Sequence, residues 1–255
     1  IFRALDGIDI VIHAAATKIV PIAEYNPFEC IKTNVFGSQA LISACIKNNV
    51  KKVIALSTDK ACNPINLYGA SKLCSEKLFL NANQLSGEKG TKFGVVRYGN
   101  VIGSRGSVIP FFKKLAKEKK KLPLTDKNMT RFFITLEDAV KFVLRSLNST
   151  QGEEIFVPIM KSIYIYDLIK IIDRNAKIKI TGLRPGEKIH ETLCAEAESR
   201  NTYINKDHFR IYPDFISDIK KKGKKVSSKF SYYSNSKSSL DIKSIVKLIK
   251  KTKIL

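Results

Sequence analysis

Three short apolar runs, spaced by helix-length amphipathic segments, constrain this chain more than anything else in it. Residues 8–13 (Ile-Asp-Ile-Val-Ile-His), 53–56 (Val-Ile-Ala-Leu) and 92–98, centred on Val95-Val96, read as strands. Between them, 27–48 and 68–84 read as helices; in the first, Phe28, Ile31, Val35, Leu41, Ile42, Cys45 and Ile46 recur on one face. The strands are continuous apolar runs rather than alternating ones, so both faces of each must be covered. Strand–helix–strand–helix–strand with that patterning predicts a parallel sheet wound on both sides.

After Gly99 the pattern loosens. A basic amphipathic segment (107–121), Leu122-Pro123-Leu124, Arg131–Ile134, helices at 136–147 and 164–174, and short strands at 155–157 and 177–181 predict a smaller mixed lobe. Such a lobe is expected at the carboxyl edge of the sheet, where open α/β sheets take ligands. The predicted division is 1–105 for the wound domain with the reactive residues, 106–219 for the interleaved lobe, and 220–255 for a Lys/Ser-rich tail. That tail is expected to be mobile apart from a helix near 240–250.

Charge narrows the function classes. Lys and Arg number 45 against 23 acidic residues, a net charge of +22, but only 9 of the 45 are Arg. Readers of bases and phosphates favour the forked guanidinium; a Lys excess strung over helices and tail is read as a solvated face, with no specific nucleic-acid partner. No run reaches the 18 apolar residues of a membrane span, and the first residues, from Ile1, lack the pattern of a signal peptide. Five scattered cysteines without a C-x-x-C pair read as reduced thiols of a cytoplasmic protein, and with His13, His190 and His208 apart, no metal site is expected.

The chemistry concentrates after the second strand. Ser57-Thr58-Asp59-Lys60 ends it, and Tyr68-Gly-Ala-Ser-Lys72 opens the next helix. Tyr-x-x-x-Lys puts both side chains one turn apart on one face, and an ammonium beside a phenol favours the phenolate, a general base for an alcohol under oxidation. A fold of this kind should open with a strand, a glycine-rich turn and a helix, and none precedes Ile8. The expectation is that roughly 60–90 residues, two or three βα units, lie upstream, and that the piece alone is inactive.

Ile12-His13-Ala-Ala-Ala16, Lys32-Thr33-Asn34-Val-Phe-Gly37-Ser38, the strand-end Ser57-Thr58-Asp59 and Tyr68-x-x-x-Lys72 resemble the extended short-chain dehydrogenase/reductase superfamily, a doubly wound (Rossmann-type) α/β fold. Pro21–Pro27, Asn63–Lys72, Val96–Pro110, Met129–Phe132 and Arg184-Pro-Gly-Glu-Lys188 are similar, more narrowly, to the soluble inverting UDP-N-acetylglucosamine 4,6-dehydratases that begin pseudaminic-acid-type sugar synthesis. The likeness runs from about Ala4 to Arg200; Tyr68 stands where larger membrane-anchored relatives carry Met, and Ile19 where members often carry His.

The resemblance implies a role for each residue. Tyr68 with Lys72 would take the O4 proton, Thr58 would hydrogen-bond O4, and Asp59 and Lys60 would share proton transfer at C5 and O6, with acid and base unassigned. Ala14, Ala15, Ala16, Lys18, Asn34 and Ser57, with Tyr68 and Lys72, would hold the cofactor. Lys18, Asn100, Arg131, Arg184 and Glu187 would grip the UDP-sugar. The family uses NADP, with NAD open because the selecting residues are absent, and a homo-oligomer is expected. A nucleotide-sugar 4-epimerase shares Tyr-x-x-x-Lys but needs no acid/base pair like Asp59-Lys60; a basic nucleic-acid-binding module is the reading from another class.

Overall fold

Alternate residues of the second and third predicted strands meet different helices, which is why their sequences are apolar throughout; the first, at the sheet's edge, instead leaves Ile10 and Ile12 exposed among the described residues. In a computed structural model describing residues 1–88, 90–104, 107–214 and 221–252, β1 (Ile10–His13), β2 (Lys52–Thr58) and β3 (Lys92–Tyr98) lie parallel in that order. Ile54 and Val96 face Phe142, Val143 and Leu147 of the helix Leu136–Ser149. Phe93, out of phase with them, faces Phe79 of the helix Leu67–Ser86, with ring centroids 6.2 Å apart. Each fully buried side chain of this size stabilises the fold by about 1.5–3 kcal/mol.

The chain divides into two compact units. The first comprises 1–98, 142–159 and 193–231. Its sheet has seven strands: β1, β2, β3 and Ile155–Pro158 run parallel, and His208–Ile211, Thr202–Ile204 and Lys224–Lys225 continue it antiparallel. That antiparallel edge was not legible in the sequence, because its strands are four residues or shorter and too brief to show a period.

Helices of the first unit include α1 (Val20–Tyr25), α2 (Pro27–Ile31), α3 (Gly37–Lys47) and α4 (Leu67–Ser86). The segment read as one helix over 27–48 is interrupted by a π-helical turn at Lys32–Phe36. Its cause is Asn34, fully buried within that turn, whose amide is bonded to neighbouring segments. A one-residue insertion turns the later side chains by about 100° against the earlier ones, and the face read from the sequence is not the one buried before the turn: Phe28 is exposed, whereas Cys30 and Asn34 are buried. Asn66 caps α4 by accepting from the Gly69 N–H at 2.7 Å.

The second unit comprises 99–141, 160–192 and 232–255. Thr130–Ile134 pairs parallel with Asn100–Val101 and antiparallel with Lys161–Tyr164; Leu122–Leu124 pairs parallel with Ile178–Ile180. Phe112, Leu122, Phe133, Leu168, Ile245 and Ile249 are among the residues of its core.

Sequence boundaries at 105/106 and at 220 fall on residues outside those described. Beyond 220, the described residues make defined contacts. Lys224–Lys225 completes the large sheet. The Tyr232 hydroxyl both donates to the Met160 carbonyl (2.7 Å) and accepts from its N–H (2.8 Å), while Ile245 and Ile249 of the helix Ile242–Lys251 are fully buried. The Lys content masked those few apolar anchors. Among the described residues no helix is long and apolar enough to cross a membrane.

Candidate active site

At the carboxyl end of β2 the chain turns at once into a short 3-10 helix, Asp59–Ala61, capped by Thr58. The Thr58 hydroxyl accepts from the Lys60 N–H (3.3 Å) and donates to Asp59 Oδ1 (2.9 Å). Lys60 Nζ donates to the same Oδ1 at 3.0 Å. Asp59 is 0% exposed, and its other carboxylate oxygen, Oδ2, is buried with no hydrogen-bond partner. Thus a sequestered carboxylate touches an ammonium that is 23% exposed, which can relay a proton.

The loop from Asp59 to α4 is short, with Asn63 in the left-handed region (φ 49°). It returns the Tyr68 phenol to the neighbourhood of Thr58 and Lys60. Burial pushes the Tyr68 phenol above its ordinary range; the Lys60 ammonium and the Thr58 hydroxyl act against this, while Asp59 and Tyr98 add to the rise. Of the charges acting on the phenol, the Lys60 ammonium most favours the phenolate. Lys72 is itself buried, and burial pulls its ammonium below the usual range against the opposing charge of Glu76.

At the end of β1, Ala14 and Ala15 are exposed and Ala16 half-buried, leaving backbone open to a close-lying ligand; Lys18 is exposed. Asn34 ties this segment down. Its Oδ1 accepts from the Thr17 N–H (2.8 Å), and its Nδ2 donates to the Thr17 carbonyl (3.0 Å) and to Ser71 Oγ (2.9 Å). Ser71 sits in α4 between Tyr68 and Lys72 and donates to the Tyr68 carbonyl (2.8 Å). Ser57 Oγ and His13 Nε2 are buried without hydrogen-bond partners. Orphaned polar atoms at the carboxyl ends of parallel strands fit a bound dinucleotide. Among the described residues no cluster of three His, Cys, Asp or Glu could hold a metal ion.

Asn100, Arg131, Arg184 and Glu187 belong to the second unit. Glu187 lies 3.7 Å from Arg131 and 3.4 Å from Arg184, so these three form one group. Arg131 is 9% exposed and donates to the carbonyls of Thr130, Lys188 and Ile189, which fixes the turn that follows Glu187. The Arg184 side chain is 68% exposed and is paired with Glu187. Asn100 is half-buried and pairs with Phe133 in the small sheet.

Sequence reasoning missed Ser71, which bonds the Tyr68 carbonyl and Asn34, and the cluster that joins Glu76 of α4, Arg97 of β3 and Glu198. One signal was available. Arg97 interrupts an apolar strand, and a buried guanidinium requires carboxylates around it.

The profile of the polysaccharide biosynthesis protein family matches residues 1–213. A UDP-N-acetylglucosamine 4,6-dehydratase (inverting) of Campylobacter jejuni serotype O:2 is 55% identical over 243 residues, 91% of this chain and 73% of the relative. A UDP-glucose 4-epimerase of Rickettsia massiliae is 42% identical over 216 residues, 83% of this chain and 63% of the relative. The X-ray structure of Pen from Bacillus thuringiensis superposes with a TM-score of 0.91 at 37% identity, covering 100% of this chain and 78% of that one. With a doubly wound sheet, a Thr-Asp-Lys strand end and a Tyr-x-x-x-Lys helix in place, the chain belongs to the polysaccharide biosynthesis protein family, alongside the inverting UDP-N-acetylglucosamine 4,6-dehydratases.

Proposed function

We propose that this protein dehydrates UDP-N-acetylglucosamine across C4–C6 with inversion at C5, giving UDP-2-acetamido-2,6-dideoxy-β-L-arabino-hex-4-ulose. The observation that carries the reading is the contact of Lys60 Nζ with Asp59 Oδ1 at 3.0 Å, both charges acting on the Tyr68 phenol. An acid/base pair thus adjoins a phenol suited to alcohol oxidation. A 4-epimerase needs only the latter.

When bound, NADP supplies a reversible hydride acceptor, so the sugar is oxidised at C4 and reduced at C6 with no net redox change. Ala14, Ala15, Ala16, Lys18, Asn34 and Ser57 would hold it, beside Tyr68 and Lys72. Tyr68 takes the O4 proton while Thr58 holds O4. The 4-ketone then acidifies the C5 hydrogen. Asp59 and Lys60 remove that proton and deliver one to O6, which leaves as water. Proton return to the opposite face of C5 inverts that centre. Arg131, Arg184, Lys18 and Asn100 would engage the UDP-sugar, the cations meeting its diphosphate and Glu187 the uridine ribose. A cytoplasmic homo-oligomer, with no specific nucleic acid or membrane partner, completes the reading.

Reaction in deuterated water tests it. The expected product carries deuterium at C5 and lacks the C6 hydroxyl. Conversion to UDP-N-acetylgalactosamine with no keto sugar would instead make the protein an epimerase.

A further inference from the structure

Arg97 is fully buried in β3, and every N–H of its guanidinium is used. Nε and Nη2 donate to the two carboxylate oxygens of Glu76 at 3.0 and 2.7 Å. Nη2 and Nη1 donate to the two oxygens of Glu198 at 2.9 and 3.0 Å, and Nη1 also donates to the Leu193 carbonyl at 2.9 Å. Two carboxylates therefore share one guanidinium, and one carboxylate charge is left over.

Each arm of this cluster reaches a part of the site. Glu76 lies one turn beyond Lys72 on α4, and both are buried. Glu198 Oε2 accepts from Cys62 Sγ at 3.7 Å. Cys62 closes the turn of Asp59 and Lys60, its N–H donating to the Asp59 carbonyl at 3.2 Å.

We propose that Arg97 is the positioning residue of the site: it fixes Glu76 as the counter-charge of Lys72 and, through Glu198 and Cys62, fixes the turn that carries Asp59 and Lys60. The roles of Lys72, Asp59 and Lys60 rest on the function proposed above; the clamp itself rests on geometry. Glu76 opposes the loss of charge that burial imposes on Lys72. The other titratable group in the field of Lys72 is His13 on β1, pushed down to about 4 by burial and then by Lys72, so it is neutral at working pH. Around Tyr68 stand Lys60, Asp59 and Tyr98.

Removing the Glu76 charge discharges Lys72, weakens the positive field around Tyr68 and raises the pH at which the phenol ionises. In the full-length protein, the acidic limb of the kcat profile of Glu76→Gln should therefore move up by about one pH unit. KM for the UDP-sugar should hold, and Glu76→Asp should restore most of the limb. Arg97→Lys keeps the charge but loses the paired contacts, and should shift the limb in the same direction; it stands in if Glu76→Gln does not fold. Glu198→Gln should leave the limb in place and slow the steps after C4 oxidation, so that reduced cofactor builds up. Variants that melt earlier yet keep the wild-type limb would overturn the proposal. Titration of Tyr68 by tyrosinate absorbance, each protein against its Tyr68→Phe counterpart, reads the same shift without turnover. Failure of the wild type to make a keto sugar would thus count against the proposed function, whereas an unmoved Tyr68 titration would count against the clamp.

Discussion

Lys60 and Gly69 meet backbone to backbone: a Cβ on residue 69 would stand 2.2 Å from the Lys60 carbonyl oxygen and 3.1 Å from Pro64 Cβ. Only the absence of a side chain lets the helix of Tyr68 lie against the turn of the acid/base pair. Gly69→Ala must move one or the other. It should destabilise the protein by about 1–3 kcal/mol and lower kcat at least about tenfold, the equivalent of a 1.4 kcal/mol higher barrier. Denaturant melts and initial rates check this, and wild-type turnover in Gly69→Ala would refute the close contact.

Asn34 joins three segments through one buried amide, holding Thr17 by both backbone groups and Ser71 by its hydroxyl. Asn34→Ala strips the half-buried Thr17 N–H and carbonyl of their side-chain partner, at about 1–3 kcal/mol for each group stranded without water, while Ser71 keeps its bond to the Tyr68 carbonyl. Its melting temperature should fall, and its dinucleotide affinity should fall more than its UDP-sugar affinity. Calorimetric titration separates the two, and equal losses would contradict the placement of the 14–18 segment beside the cofactor.

Stability should also depend on His13. Burial, and secondarily the Lys72 charge, push this imidazole down to about 4 in the folded protein, against about 6.5 in an unfolded chain. As pH falls the unfolded chain binds the proton first. The stabilising contribution is therefore complete above about pH 6.5 and is lost as pH falls towards 4, on the order of 3 kcal/mol in all. Denaturant melts across that window should show a decline that is shallower in His13→Gln. Parallel curves would remove His13 from the account.

The sequence showed the wound half well because its signals are local and repeated: the apolar runs of β1, β2 and β3 and the helix-length segment that became α4 need no tertiary information. The reactive residues were legible for a similar reason, since Thr58, Asp59 and Lys60 are contiguous and Tyr68 and Lys72 lie one helical turn apart. What could not be read is non-local. Glu198 reaches Arg97 across 101 positions, and Ser71 reaches Asn34 across 37. The antiparallel edge depends on pairing between strands too short to announce themselves.

The central claim is that one site contains two devices, a redox base at Tyr68 and an acid/base pair at Asp59 and Lys60. Single-turnover reactions of full-length Lys60→Ala and Tyr68→Phe, followed by the absorbance of reduced nicotinamide, test it directly. Lys60→Ala should oxidise C4 and then stall, accumulating reduced cofactor and the 4-keto hexose. Tyr68→Phe should leave the cofactor oxidised, with the first hydride transfer slowed by about 10²–10⁴. If Lys60→Ala also left the cofactor oxidised, with no 4-keto intermediate, Lys60 would act in binding or in the first step, and the division of labour between the two motifs would be contradicted.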